Sequence, residues 1–225
     1  MSRRSIQSIA IAALAFGAAS AQADNVTFAG FSNGYETVNI ALSAPNVPTA
    51  EYGAAGGFTA SLNGGPSFTT YCVDLYQYIW FGAGFTDYSV VNASAHAFAN
   101  SNAANDIGKL FSENNPVNDA ISQAAFQIAV WEIAYEQSGS YDLGTGSATF
   151  TGGTAASSGS LALASSWLGA LGGVTNSANL MVLESPGHQD QIFAAPVPEP
   201  STYALMAAGL LGMGFFARRR APRQL

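Results

Sequence analysis

The chain has 225 residues, only 9% of them charged, and its 14 acidic side chains outnumber seven Lys and Arg for a formal net charge of −7. Six of the seven cations sit in the first four or last eight residues, so the stretch 24–196 holds Lys109 against thirteen carboxylates, a formal charge of −12. A body so poor in cations excludes nucleic acid, anionic lipid surfaces and phosphorylated substrates as partners.

The N-terminus reads as a secretory signal. Arg3 and Arg4 give a cationic start, Ile9 to Ala19 is a short apolar run, and Ala21-Gln22-Ala23 is a small-x-small cleavage pattern. Residues 1–23 are therefore expected to be removed by signal peptidase, leaving Asp24 first. The 173 residues of 24–196 suffice for one domain with a real core. They contain a single cysteine, Cys72, so no internal disulfide staples this exported domain.

Along the body, short alternating runs broken by Gly, Pro and Asn predict strands at Val26–Gly30, Val38–Leu42 and Phe58–Leu62. Ser67 to Trp80 is the densest in Thr, Tyr, Val, Ile and Trp and predicts one long strand. Strict alternation puts Thr70, Cys72, Asp74 and Tyr76 on one face, with Tyr71, Val73 and Leu75 on the other. Ala95 to Phe111 reads as helical. A second helix is expected to open with Asn115 as cap and Pro116 at the first helical position, and to run to about Gln137 before Gly139. On its wheel Gln127 points to the apolar side with Gln123 and Trp131, while Asn118, Ser122, Glu132 and Glu136 face water. Tyr141 to Ser160 predicts a loop or weak hairpin, Leu161 to Leu171 a short helix, and Asn179–Glu184 and Gln191–Ala194 closing strands. The fold class expected is α+β, a β-rich N-terminal sheet or sandwich with a central buried helix, plus a signal helix and a C-terminal membrane helix.

The last segment, 197–225, is a second targeting unit. Val197-Pro198-Glu199-Pro200 precedes an apolar stretch to Ala217 and then Arg218, Arg219 and Arg220. Tyr203 to Ala217 rises only ~22 Å as a helix against a ~30 Å hydrocarbon core. Extending the helix over 201–217 with snorkelling arginines makes a span feasible, its basic end cytoplasmic. A Pro-Glu-Pro signature, a short apolar helix and a terminal basic cluster, in that order, resemble the PEP-CTERM tail. That resemblance implies a Gram-negative source, recognition by the membrane transpeptidase exosortase, transient inner-membrane anchoring and delivery to the cell surface or an extracellular polymer matrix.

Burying the Gln127 amide without partners costs roughly 1–3 kcal/mol, so something must satisfy it or it has reacted. Tyr71-Cys72-Val73-Asp74-Leu75 with Gln127-Ile128-Ala129-Val130-Trp131 resembles the paired signature of Cys–Gln thioester domains of bacterial surface adhesins, and PEP-CTERM proteins with a similar cysteine strand and glutamine helix. Phe126 stands where the adhesin motif has Thr. The resemblance implies condensation of Cys72 with Gln127 inside a pocket including Tyr71, Asp74 and Trp131, and capture of a surface amine or hydroxyl by acyl transfer to Gln127. Two other readings stay open: a Cys72 and Gln127 that merely pack, as buried cysteines often do, and a Cys72 hydrolase served by His96 or His188. The expected role is a non-enzymatic surface or matrix protein without cofactor. No metal-ligand spacing occurs, and Asp87, Asp142 and Asp190 lie in no calcium-loop pattern. Asn25-Val26-Thr27 and Asn92-Ala93-Ser94 match glycosylation acceptors.

Overall fold

The structure, a computed structural model, describes residues 23–43, 51–114 and 117–195, together with 206 and 208–211 of the tail. The signal segment through residue 22, the cap pair Asn115-Pro116, the Val197–Pro200 motif and Arg218–Arg220 lie outside the described residues. Among the described residues no helix is long and apolar enough to cross a membrane.

Among the described residues of 23–195, nine strands and four α-helices make a mixed α+β architecture: β1 Asp24–Phe31, β2 Glu36–Leu42, β3 Glu51–Ala55, β4 Phe58–Leu62, β5 Ser67–Cys72, β6 Gly84–Asn92, α1 Ala103–Asn114, α2 Ala120–Tyr135, β7 Ala148–Thr151, α3 Gly153–Ser158, α4 Ser160–Ala170, β8 Leu180–Glu184 and β9 Gln191–Ala194. Six strands close a barrel in the order β1-β4-β5-β9-β8-β6, and β3-β2-β7 form a separate three-stranded sheet. The expected sheet or sandwich is thus corrected to a closed barrel beside a small sheet. The C-terminal pair β8–β9 supplies the closure, Tyr71 and Cys72 of β5 pairing with Ile192 and Gln191 of β9.

Alternation explains the strands that were legible. Val26 and Phe28 of β1 and Val38 and Ile40 of β2 point inward while their neighbours meet solvent. Inside the barrel Phe28 contacts Phe58, Phe85 and Tyr88 at ring-centroid distances of 6.4, 5.9 and 6.0 Å. At the turn into α3, Gly153 adopts φ +63°, and a Cβ there would run into the Thr37 carbonyl. Only glycine serves that position.

Helix α2 lies at the centre, packed against α1, α4 and strands of both sheets. Twelve consecutive residues, Gln123 to Ala134, are buried. Its N-cap is Asp119, whose carboxylate accepts from the Ser122 N–H at 2.9 Å in a capping box, rather than Asn115, so the helix starts at Ala120. The water-facing side expected at Glu132 and Glu136 is also corrected. Both are buried because the 136–148 loop folds back over them: Asp142 N–H donates to Glu132 Oε1 at 2.8 Å, and Ser138 and Ser147 N–H donate to Glu136 at 2.9 and 2.7 Å. The loop's backbone donors need acceptors, and the two carboxylates provide them.

Three further boundaries moved. The long strand from Ser67 stops at Cys72: Val73 N–H still bonds the Asp190 carbonyl across from it, but Asp74 Oδ1 then caps the Tyr76 N–H and turns the chain out of the ladder. Asp74 and Tyr76 therefore leave the face of Thr70 and Cys72. The helix expected from Ala95 begins at Ala103, preceded by a 3-10 turn that Asn92 caps. The 141–160 stretch contains β7, paired with β2, and the short α3.

Candidate functional site: the Cys72–Gln127 pair

Cys72 ends β5 and Gln127 sits midway along α2, and the fold brings them into direct contact. Gln127 Oε1 accepts the Cys72 N–H at 2.8 Å, and Gln127 Nε2 donates to the Cys72 carbonyl at 2.8 Å. The amide thus engages both backbone groups of the cysteine in a two-point pair. Exposure is 1% at Cys72 and 0% at Gln127, so water is excluded from the contact. One helical turn earlier Gln123 does the same work elsewhere, accepting from Gly57 N–H at 2.8 Å and donating to the Val117 carbonyl at 3.0 Å. Two glutamines on one face of α2 therefore tie the helix to its surroundings.

The thiol donates to the Asp74 carbonyl at 2.8 Å. Burial pushes the Cys72 thiol well above the usual thiol range. The Trp131 indole beside the sulfur and a backbone hydrogen bond from Asp74 oppose that shift, and the Asp74 and Asp190 carboxylates add to it. Trp131 is 3% exposed and stacks on Phe150 at 6.2 Å, yet its indole N–H makes no regular hydrogen bond. The contact with sulfur therefore falls short of a full bond. Tyr71 turns to the aromatic cluster, its ring 4.5 Å from Phe126 and 5.8 Å from Phe111. Of the residues expected around the pair, Trp131 and Asp74 adjoin the sulfur and Tyr71 packs behind it.

Beyond Cys72 a cleft of about 240 Å³ opens, lined in part by Val73, Asp74, His96, Tyr135 and Asp190. His96 binds Glu184 at 2.6 Å and His188 binds Asp87 at 2.9 Å, and neither is hydrogen-bonded to Cys72. Ser185 Oγ also donates to Asp87, at 2.7 Å, so this cluster fastens the β8–β9 turn to β6. Asp190 Oδ1 accepts the Ser185 N–H at 2.8 Å, and burial raises its carboxyl to about 6. Asp142 caps the Gly144 N–H. Among the described residues no three His, Cys, Asp or Glu side chains gather to hold a metal ion.

Sequence reasoning missed Glu132. It is fully buried, its Oε2 has no hydrogen-bond partner, and burial lifts its carboxyl from 4.5 to about 7. An acid whose folded-state pKa exceeds its unfolded value binds more protons when folded, so its neutral form contributes fully at low pH. That contribution is lost as pH rises from about 4.5 through about 7. Glu132→Gln is expected to flatten this part of the stability–pH profile and to gain on the parent by about 2 kcal/mol at pH 8. Urea unfolding across pH 4–8 checks it, and an unchanged slope would contradict the assignment.

The C-terminal residues 196–220 match the family model of the PEP-CTERM protein-sorting motif. The chain therefore carries a motif that implies export, processing by exosortase and sorting to the cell surface. Among curated proteins none matches the sequence. Solved structures similar in fold include two domains of surface proteins. The N-terminal domain of the Streptococcus pyogenes pilus tip adhesin Cpa is 12% identical, with a TM-score of 0.49 over 81% of this chain and 97% of that one. The N-terminal thioester domain of the fibronectin-binding protein SfbI from Streptococcus pyogenes is 14% identical, with a TM-score of 0.43 over 72% and 94%. At these values the likeness is coarse and says nothing about the site.

Proposed function

We propose that the exported body, residues 24–196, is a covalent surface adhesin that forms an internal thioester between Cys72 and Gln127, in a pocket including Tyr71, Asp74 and Trp131. The observation that carries this reading is the buried two-point pairing of the Gln127 amide with the Cys72 backbone at 2.8 Å. The Cys72 sulfur attacks Gln127 Cδ, an S–C bond forms, the C–Nε2 bond breaks, and ammonia leaves with the thiol proton. The Cys72 N–H already bonds the oxygen on which negative charge develops, the arrangement that stabilises a tetrahedral adduct. An amine or hydroxyl arriving from outside then attacks Cδ, the S–C bond breaks, the thiol regains a proton, and the partner is joined to Gln127 by an amide or ester. Dryness preserves the thioester against hydrolysis. The tail delivers the domain: residues 197–225 are the sorting unit, with 201–217 as a transient membrane helix.

A second reading is favoured by the completeness of the hydrogen bonding. The unreacted amide is satisfied at both ends, and Gln123 shows that this helix uses buried glutamines as clamps. On that reading the body is a non-covalent matrix component. Because Cys72 is buried, labelling the native thiol does not separate the two. Labelling in denaturant at mildly acidic pH does. A thioester leaves no thiol to react until the protein has been incubated with methylamine, whereas a clamp gives one reactive thiol at once. Cys72→Ala is expected to remove all methylamine incorporation while the domain stays folded, and methylamine uptake by that variant would sink the assignment.

A further inference from the structure

The segment joining β5 to β6, residues 73–83, carries aromatic residues that the fold leaves outside. Burial alternates along it: Tyr76, Tyr78 and Trp80 are 46%, 68% and 61% exposed, while Gln77 and Ile79 between them are partly buried. The alternate residues are anchors. Gln77 Nε2 donates to the Pro186 carbonyl at 3.3 Å, the Gln77 carbonyl accepts from Gln189 Nε2 at 3.2 Å, and Ile79 packs on the core. Each end is tied as well, Leu75 N–H to the Tyr135 hydroxyl and Gly82 N–H to the Phe28 carbonyl, both at 2.8 Å. Trp80 stacks on Phe85 at 6.0 Å and meets His188 edge-on at 5.8 Å. Large rings held in place and still facing water mark an interaction surface, and their pre-set positions reduce the entropy lost on binding.

Charge selects the partner. The carboxylates around the segment are Asp74, which bonds the Tyr76 N–H, Asp190, whose carbonyl holds Val73, and Asp87, which pairs with His188. Lys109, the one Lys or Arg of the body, is engaged by Asp106 on α1. A polyanion is repelled here. A sugar chain without acid groups fits. The C–H faces of its rings stack on Tyr and Trp, and its edge hydroxyls meet carboxylate and amide acceptors. We infer that residues 76–80 form a non-covalent platform for a polysaccharide lacking acidic groups, with Tyr76, Tyr78 and Trp80 as its stacking faces. This goes beyond the Cys72–Gln127 reading and does not require it.

The full-length Cys72→Ala protein, in a detergent without a sugar head group, is titrated with hexasaccharides of β-glucan, α-glucan, mannan, chitin and chitosan, and with hexagalacturonate. Calorimetry and tryptophan fluorescence report binding. Saturable binding of at least one non-acidic hexamer and none of hexagalacturonate is expected. Tyr78→Ala/Trp80→Ala is expected to weaken it about tenfold or more at an unchanged melting temperature, and Tyr78→Phe/Trp80→Phe to keep most of it. The inference is overturned if no non-acidic hexamer binds, if the double alanine variant binds equally well, or if the acidic hexamer is preferred. Without sugar binding, ring-dependent dimerisation would assign the surface to a second copy, and partition onto phosphatidylcholine vesicles to a membrane. Either result also overturns it.

Discussion

Replacing Gln127 with alanine is expected to lower the free energy of unfolding by about 3 kcal/mol or more. The substitution strands two buried backbone groups, the Cys72 N–H and carbonyl, each of which costs roughly 1–3 kcal/mol when unpaired. It also opens a void at a site with no exposed surface. Gln127→Glu separates packing from chemistry. It keeps the size and an acceptor for the Cys72 N–H, but it loses the donor to the Cys72 carbonyl when ionised and has no ammonia to release. Urea unfolding of both variants checks the account. A loss below about 1 kcal/mol for the alanine variant would mean that the pair contributes little to joining α2 and β5.

Phe126→Ala is expected to cost about 4 kcal/mol, the range for a large ring removed from a packed core. Phe126 is 1% exposed, and its ring lies 4.5 Å from Tyr71, 4.8 Å from Phe111 and 6.2 Å from Trp167. Those partners come from β5, α1 and α4, so one side chain fastens two helices and a strand to α2. Here the chain departs from the adhesin-type motif, which carries Thr. Phe126→Thr is therefore expected to lose nearly as much stability as alanine, since a hydroxyl would enter an aromatic cluster. Thermal unfolding of the two variants decides the point, and a Thr variant as stable as the parent would contradict the packing argument.

What the sequence made legible was local. Val26, Phe28, Val38 and Ile40 alternate cleanly with polar neighbours because one face of each strand is buried and the other wet, and those strands were found. Leu161 to Leu171 and the two closing strands were found for similar reasons. Gln127 and Trp131 face inward as their place on the helical wheel requires, and Gln127 meets Cys72 there. The remainder depends on long-range packing. Glu132 and Glu136 look like a solvent face until the 136–148 loop folds over them and uses their oxygens as acceptors. The last residues of β5 pair with β9, more than a hundred residues later, out to the Val73 N–H on the Asp190 carbonyl. Barrel closure is equally non-local, because β9 must return to β5 before any edge pairing exists. The aromatic run from Tyr76 to Trp80 raised strand propensity, and only the tertiary structure reveals it as an anchored outward-facing segment.

The sorting motif at 196–220 implies the address, and the body 24–196 holds one cation because the other six lie in the first four or last eight residues. The thioester is a single covalent bond, and the intact mass of the exported protein under denaturing conditions reports it directly. The thioester predicts a mass lighter by one ammonia than its own sequence requires, the deficit being replaced by one added methylamine after incubation and absent from Cys72→Ala. A full mass, unchanged by methylamine, would contradict it.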